Sequence, residues 1–308
     1  MRNNRGQDVG RIQPARAVLA LAVVLAGLTA CESAQAVTAG LVASPSPSAA
    51  AAVSHPTASP RPRPSPTPRP TPTPRPTPSG PHPAVQPGWV GPVYPPRLHG
   101  YDVSYPQCPG RVPPAGATFA VIGANNGKAF SVNPCLKAEW DRARGVRAVY
   151  FNSGYEPDNM GKVTPDCASR SQYQAGGPPQ QGAYAVGCSE AMFAVTTLAG
   201  AGASRTVMIW LDVEQSNTWE PVNLDLNRTA LQAEIDELAA YGHMVGIYST
   251  AYQWQSILGD WSPAGVVADW VAGQTPQEAC GTRGFSGHPV WIAQELETWN
   301  RVDSDWTC

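Results

Sequence analysis

From Ser44 to about Pro96 the chain is dominated by Pro, Ser, Thr, Ala and Arg, with Arg-Pro-Thr-Pro units repeated near Arg69 and Arg75. Such a stretch cannot bury enough apolar surface to offset the entropy of ordering it, and its proline density favours extended polyproline II. Any packed core is therefore confined to residues 98–308. That length supports one sizeable core and lies at the small end for a (β/α)8 barrel. The stretch 56–83 reads as a spacer, reaching roughly 85 Å at about 3.1 Å per residue.

Ahead of the spacer, Arg2, Arg5, Arg11 and Arg16 precede an apolar run over 17–28 that ends in Leu28-Thr29-Ala30-Cys31. The run is shorter than the roughly 20 residues a membrane-spanning helix needs, so residues 1–30 read as a targeting signal. Leu-Thr-Ala-Cys resembles the lipobox of bacterial lipoprotein signal peptides. The resemblance implies cleavage before Cys31, lipidation of its thiol and a membrane anchor at the N-terminus of the mature chain. Cleavage as an ordinary secretory signal, after Ala34-Gln35-Ala36, is the alternative; both imply export. The expected organisation is thus a lipoprotein signal peptide (1–30), a disordered linker (31–97) and one folded domain (98–308).

Seven cysteines are an odd number. Assigning Cys31 to a lipid leaves Cys108, Cys135, Cys167, Cys188, Cys280 and Cys308, an even set that in an exported domain reads as three disulfides. Fifteen connectivities are open. Local proximity alone favours Cys108–Cys135, Cys167–Cys188 and Cys280–Cys308. The cysteines and histidines lack metal-site spacing, so no metal and no cofactor is expected. Residues 98–308 hold 12 Lys and Arg against 21 Asp and Glu, a formal balance of −9. An acidic domain repels a phosphate backbone, which excludes nucleic acid as the expected partner.

Within residues 98–308 short apolar runs alternate with helical stretches. Expected strands are Gly100–Ser104, Phe119–Ala124, Val146–Asn152, Ala183–Val186, Val207–Glu214, Met244–Ser249, Val266–Val271 and Pro289–Gln294. The clearest helix runs from about Arg228 to Tyr241, with Asn223, Asp225 and Asn227 as capping candidates and Gly242 as a stop. Alternating strands and helices imply βαβ units and a parallel sheet, and continuous apolar strands imply cover on both faces. The expected fold is α/β, a complete or irregular TIM-like (β/α)8 barrel. An open doubly wound sheet fits less well, because no GxGxxG follows a strand.

Barrel active sites form at the C-terminal ends of the strands, where Asp102, Asp212, Glu214 and Asp303 are expected. Asp212 and Glu214 stand at i and i+2, so their side chains face one way roughly 6.6 Å apart along an ideal strand. Two carboxyls at that distance suit glycosidic bond hydrolysis, one giving a proton to the leaving oxygen and the other acting ionised. Each acid alone reads equally as a helix cap or turn residue; the argument rests on their occurring together.

Gly100-Tyr-Asp-Val-Ser104, Phe119-Ala-Val-Ile122, Leu211-Asp-Val-Glu214 and Val245-Gly-Ile-Tyr-Ser-Thr250 together resemble glycoside hydrolase family 25, lysozymes with an irregular (β/α)8 barrel that cut the β-1,4 bond of peptidoglycan. The resemblance implies Glu214 as general acid, Asp212 and Asp102 as supporting carboxylates, and Asp303 as the acid of the last strand. Three departures accompany it: Asp305 stands where the family carries Asn, Val149-Tyr-Phe-Asn152 lacks the family's His, and a Gly/Pro/Gln-rich insertion lies between Asn152 and Cys188. Among the aromatics, Tyr150 and Tyr248 are the expected sugar-stacking residues. The expected function is a cell-surface, muramidase-like glycoside hydrolase. It acts as a monomer on peptidoglycan or another wall polysaccharide and is held to the membrane by its lipid. The competing expectation is a barrel of the same ancestry that binds glycan or a surface partner without cutting it.

Overall fold

In this computed structural model residues 92–109, 114–299 and 302–308 are described. The signal, Cys31 and most of the spacer lie outside them. The apolar runs become eight strands: β1 His99–Val103, β2 Phe119–Gly123, β3 Val146–Asn152, β4 Ile209–Asp212, β5 Val245–Ser249, β6 Val266–Ala272, β7 Val290–Trp299 and β8 Val302–Thr307. They close into a barrel in sequence order. Pairings from β1 through β7 are parallel, whereas β8 runs antiparallel to both β7 and β1. The last βα unit is thus replaced by a hairpin, which makes the barrel irregular.

Six α-helices occur among the described residues: α1 Leu136–Arg142, α2 Pro165–Ser171, α3 Pro178–Ala201, α4 Leu224–Ala240, α5 Ala251–Leu258 and α6 Pro276–Ala279. Strand alternation sorts the core into two layers. Phe119, Val121, Ala148, Trp210, Trp270 and Ile292 fill the interior. Ile122, Val149, Leu211 and Ile247 face outward against Leu198 of α3 and Leu231, Ile235 and Leu238 of α4. Both faces being covered is why these strands read as unbroken apolar runs.

Four expectations need correction. Ala183–Val186 is not a strand; it lies inside α3, where Ala183, Val186, Ala191, Ala194 and Leu198 are buried at helical spacing. A four-residue apolar run has no period to separate strand from helix, and Pro178 at the start of α3 pre-sets helical φ. The eighth strand is instead Val302–Thr307. Next, β4 ends at Asp212, so Glu214 sits two residues beyond the ladder. Finally, residues 93–97 belong to the barrel and not to the linker. Tyr94 is 2% exposed within the interior cluster, and the Arg97 N–H donates to the Thr307 carbonyl at 2.9 Å.

The segment between Asn152 and Cys188 is largely helical, comprising a 3-10 segment Pro157–Lys162, α2 and the first half of α3. Tyr155, Ala183, Val186, Leu226 and Ala230 form one cluster there, and Cys167, Cys188 and Ala233 another, so this segment packs on the α3–α4 layer. The three disulfides join Cys108 to Cys135, Cys167 to Cys188 and Cys280 to Cys308. These are the pairings favoured by proximity.

α3 and α4 meet closely at Gly187, where an added Cβ would lie 1.8 Å from the Ala230 carbonyl oxygen. Backbone cannot yield as a flexible side chain can. Gly187→Ala is therefore expected to force the helices apart at a cost of about 1–3 kcal/mol, read as a lower denaturant midpoint with an unchanged slope. No helix among the described residues is long and apolar enough to cross a membrane.

Candidate active site

The inner faces of the strands turn polar toward the C-terminal end of the barrel. Asp102 of β1 and Asp212 of β4 are 6% and 4% exposed, and Glu214 beyond β4 is half-buried. Antiparallel pairing sets Asp303 of β8 directly opposite Asp102 and Asp305 opposite Gly100, so both face inward with Asp102. Asp102, Asp212, Glu214 and Asp303, expected from three separate stretches, share one electrostatic neighbourhood. Asp102 feels Asp303 and Glu214, and Asp212 feels Glu214 and Asp102.

Amide side chains hold these acids. Asn152, the register partner of Asp212 on β3, donates its Nδ2 to Asp212 Oδ2 at 2.5 Å. Asn217 donates to the Asp212 carbonyl at 2.8 Å and approaches Oδ1 at 3.5 Å. Gln294 of β7 donates to Asp102 Oδ2 at 2.7 Å and accepts from the Tyr248 hydroxyl at 2.8 Å. Glu214 is held more loosely: Gln253 of α5 donates to Oε1 at 3.2 Å, and the Ser216 hydroxyl to Oε2 at 3.4 Å. Its backbone carbonyl accepts from the Trp219 indole at 2.9 Å. The buried acids are clamped, while Glu214 keeps a partly open carboxyl.

Tyr150 and Tyr248 pack on the fully buried Trp270, with ring centroids 6.1 Å and 4.5 Å away. Their half-buried rings form one wall of the mouth. Tyr101, another aromatic near these strand ends, lies in the outer layer. Asp305, Gln294, Asn152, Asn217 and Gln253 were not among the expected site residues. Gln294 carried one signal, its inward parity with Ile292 on β7, and Asp305 stood out only as an acid in place of Asn.

Burial dominates the electrostatics. It pushes Asp102 up to about 7, with Asp303 adding to the rise and the Gln294 and Asp305 hydrogen bonds opposing it. Burial and then Glu214 hold Asp212 well above the carboxylate range, and burial and then Asp102 do the same for Asp305. Away from the mouth, burial raises Glu234 to about 8, Asp269 to about 7, and Glu190 well above its ordinary value.

A carboxyl whose folded pKa exceeds its unfolded value adds full stability below the unfolded value and loses it as pH rises through the folded one. The window here runs from about 4 to about 8. Burial lowers His99 and His288, which act oppositely below about 6.5, but these are two partly exposed groups against six buried acids. The urea midpoint is therefore expected to be higher at pH 5 than at pH 8. Each raised acid contributes at most about 1.4 kcal/mol per pH unit within its window. A midpoint that rises with pH would contradict this.

Fold and site together define an irregular (β/α)8 barrel with an acidic, aromatic-walled mouth. The family model described as Lysozyme-like protein 1 matches residues 142–272, which include Asp212 and Glu214. The chain is 42% identical over 59 residues to Lysozyme-like protein 5 of Caenorhabditis elegans, covering 19% of this chain and 26% of that relative. It thus spans about a quarter of the curated relative's length. Among solved structures it is similar to the muramidase from Trichobolus zukalii, at 16% identity and TM-score 0.47 over 68% of this chain and 93% of that one. It is likewise similar to a family GH25 lysozyme from Aspergillus fumigatus, at 16% identity and TM-score 0.47 over 69% and 94%. Over residues 142–272 the chain is thus similar to the lysozyme-like family model, the same direction in which its motifs point.

Proposed function

We propose that this protein is an exported glycoside hydrolase of muramidase type, acting on peptidoglycan or a related wall glycan. The observation that carries the reading is the difference between neighbouring acids. Asp212 is buried and clamped by two asparagines, whereas Glu214 is half-buried with loose partners, and both lie beside Asp102 and Asp303. Glycosidic cleavage needs that inequality: one carboxyl delivers a proton to the leaving oxygen, while others stabilise positive charge on the sugar ring.

In this reading Glu214 is the general acid, reaching the glycosidic oxygen from the open side of the mouth. Asp212, Asp102 and Asp303 orient the reacting sugar, and the ionised members of the cluster stabilise its oxocarbenium-like charge. Tyr150 and Tyr248 offer their rings to the sugar face. Lipidation at Cys31 and the Pro-rich spacer would hold the domain at the cell surface within reach of the wall. Three disulfides fit an oxidising, extracellular setting.

The test incubates the full exported chain with purified cell walls and counts new reducing ends, beside Glu214→Gln. Release by the parent chain and not by the variant is expected. Equal release by both would remove Glu214 from the chemistry. Wall binding with no release by either would favour the non-catalytic, glycan-binding reading.

A further inference from the structure

Asp305 is wholly buried on the inner face of β8. Its Oδ1 accepts from the Trp270 indole N–H at 2.9 Å, but its Oδ2 meets no donor. The group against it is another acid, Asp102, whose carboxyl is in hydrogen-bond contact with Asp305. Asp102 Oδ2 is already occupied as an acceptor, because the Tyr248 hydroxyl engages Gln294 Oε1 and so turns the Gln294 amide N–H toward Asp102. Two carboxyls in contact, one of them with a buried oxygen that no donor reaches, have nothing to bond with between them unless one carries a proton.

We propose that Asp102 and Asp305 share one proton as a carboxyl–carboxylate pair, with Asp305 the positioning residue that holds Asp102 at the mouth. The pair itself follows from this packing; its consequence for turnover rests on the hydrolase reading given above. With one proton the pair carries a single negative charge, and Asp102 is gripped from two sides, by Gln294 and by the Asp305 hydroxyl. Without it, two like charges in contact repel, and the Tyr248–Gln294–Asp102–Asp305–Trp270 chain loses its central bond.

The titratable groups facing the pair are Asp303 on β8, Asp212 at the end of β4 and Glu214 beyond it, Tyr150 on β3, Tyr248 on β5 and Tyr94 from the entering segment. None carries positive charge: the carboxyls, where ionised, disfavour a second negative charge on the pair, and the phenols, raised by burial, stay neutral there. Burial raises both members, Asp305 the further. The two steps belong to the pair as a whole: the first charge forms near the value of about 7 held by Asp102, and burial beside a like charge makes the second form only above it.

The deciding pair of substitutions is Asp305→Asn and Asp305→Ala. Asparagine is isosteric, can accept from Trp270 through its carbonyl and can donate to Asp102 through its amide. Alanine removes donor and acceptor together. Carboxyl carbon NMR titration of the full chain should show two steps for the pair, both above the ordinary carboxylate range. In D305N one step should remain, close to the first wild-type step; in D305A the Asp102 step should move upward because its donor is lost. Release of wall glycan at neutral pH should be at least about tenfold faster in D305N than in D305A, and the alkaline decline tied to the second step should vanish in D305N.

An Asp305 that titrates in the ordinary range, or an Asp102 step that moves equally in both variants, would overturn the shared proton. Should D305A fail to fold, the parent titration still decides the matter: two steps above the ordinary carboxylate range support the shared proton, and a step for Asp305 within that range overturns it. If the parent chain releases no glycan, the hydrolase reading falls while the titration continues to judge the pair.

Discussion

Glu214→Gln is expected to slow reducing-end release from wall glycan by about 10²–10⁴-fold, equivalent to about 3–5 kcal/mol of lost transition-state stabilisation. Glutamine keeps the length and shape of the side chain and can accept from Gln253 or Ser216, but it has no acidic proton for the leaving oxygen. Because Glu214 is half-buried and loosely bonded, the substitution should leave folding almost untouched. The loss should fall on kcat, with KM for soluble glycan fragments changed little, since the interaction removed exists only in the transition state. Asp212→Asn is the informative contrast. It removes a carboxyl that accepts from Asn152 at 2.5 Å, and the replacement amide cannot accept there without turning its own NH2 away. That variant should therefore disturb KM as well as kcat. A Glu214→Gln protein that retains parent rates, or whose defect lies wholly in binding, would transfer the proton-donor role elsewhere.

Much of this architecture is legible in the sequence because the physics behind it is local. Strands such as Phe119–Gly123 and Ile209–Asp212 are covered on both faces, so their apolar runs are continuous and visible. The disulfides bridge separations of 27, 21 and 28 residues, short enough for proximity in sequence to stand for proximity in space. What escapes depends on partners across the barrel. In β8 the usual pattern is inverted: Asp303 and Asp305 point inward because the inner face there is the mouth, so Val302–Thr307 does not read as a core strand. Gln294 gains its meaning from Asp102, 192 positions away, and Asn152 from Asp212, 60 positions away. Amide side chains at strand ends carry no period of their own. The acids were legible for the opposite reason: a carboxylate at the end of an apolar strand needs an explanation before any partner is known.

Tyr94→Ala is expected to cost about 3–5 kcal/mol of folding stability, the range for losing a large buried aromatic side chain and leaving a cavity. Tyr94 is 2% exposed, packs on Phe119 with ring centroids 5.5 Å apart, and accepts from the Trp210 indole N–H at 3.1 Å. Phe119 begins β2, so Tyr94 fills the interior from the N-terminal end of the barrel, opposite the carboxylate mouth. Above it lies a stack of rings: Trp210 meets Trp270 edge-on at 5.8 Å, and Trp270 in turn supports Tyr248 and bonds to Asp305. Tyr94→Phe separates the two contributions. It keeps the ring and strands only the Trp210 N–H, for about 1–3 kcal/mol. If alanine and phenylalanine cost the same in urea denaturation, the ring does not fill the barrel as described. If alanine costs more, a chain cut at Leu98 should show the same defect, because it removes this plug along with the spacer. The last residues before β1 would then serve as the floor of the barrel.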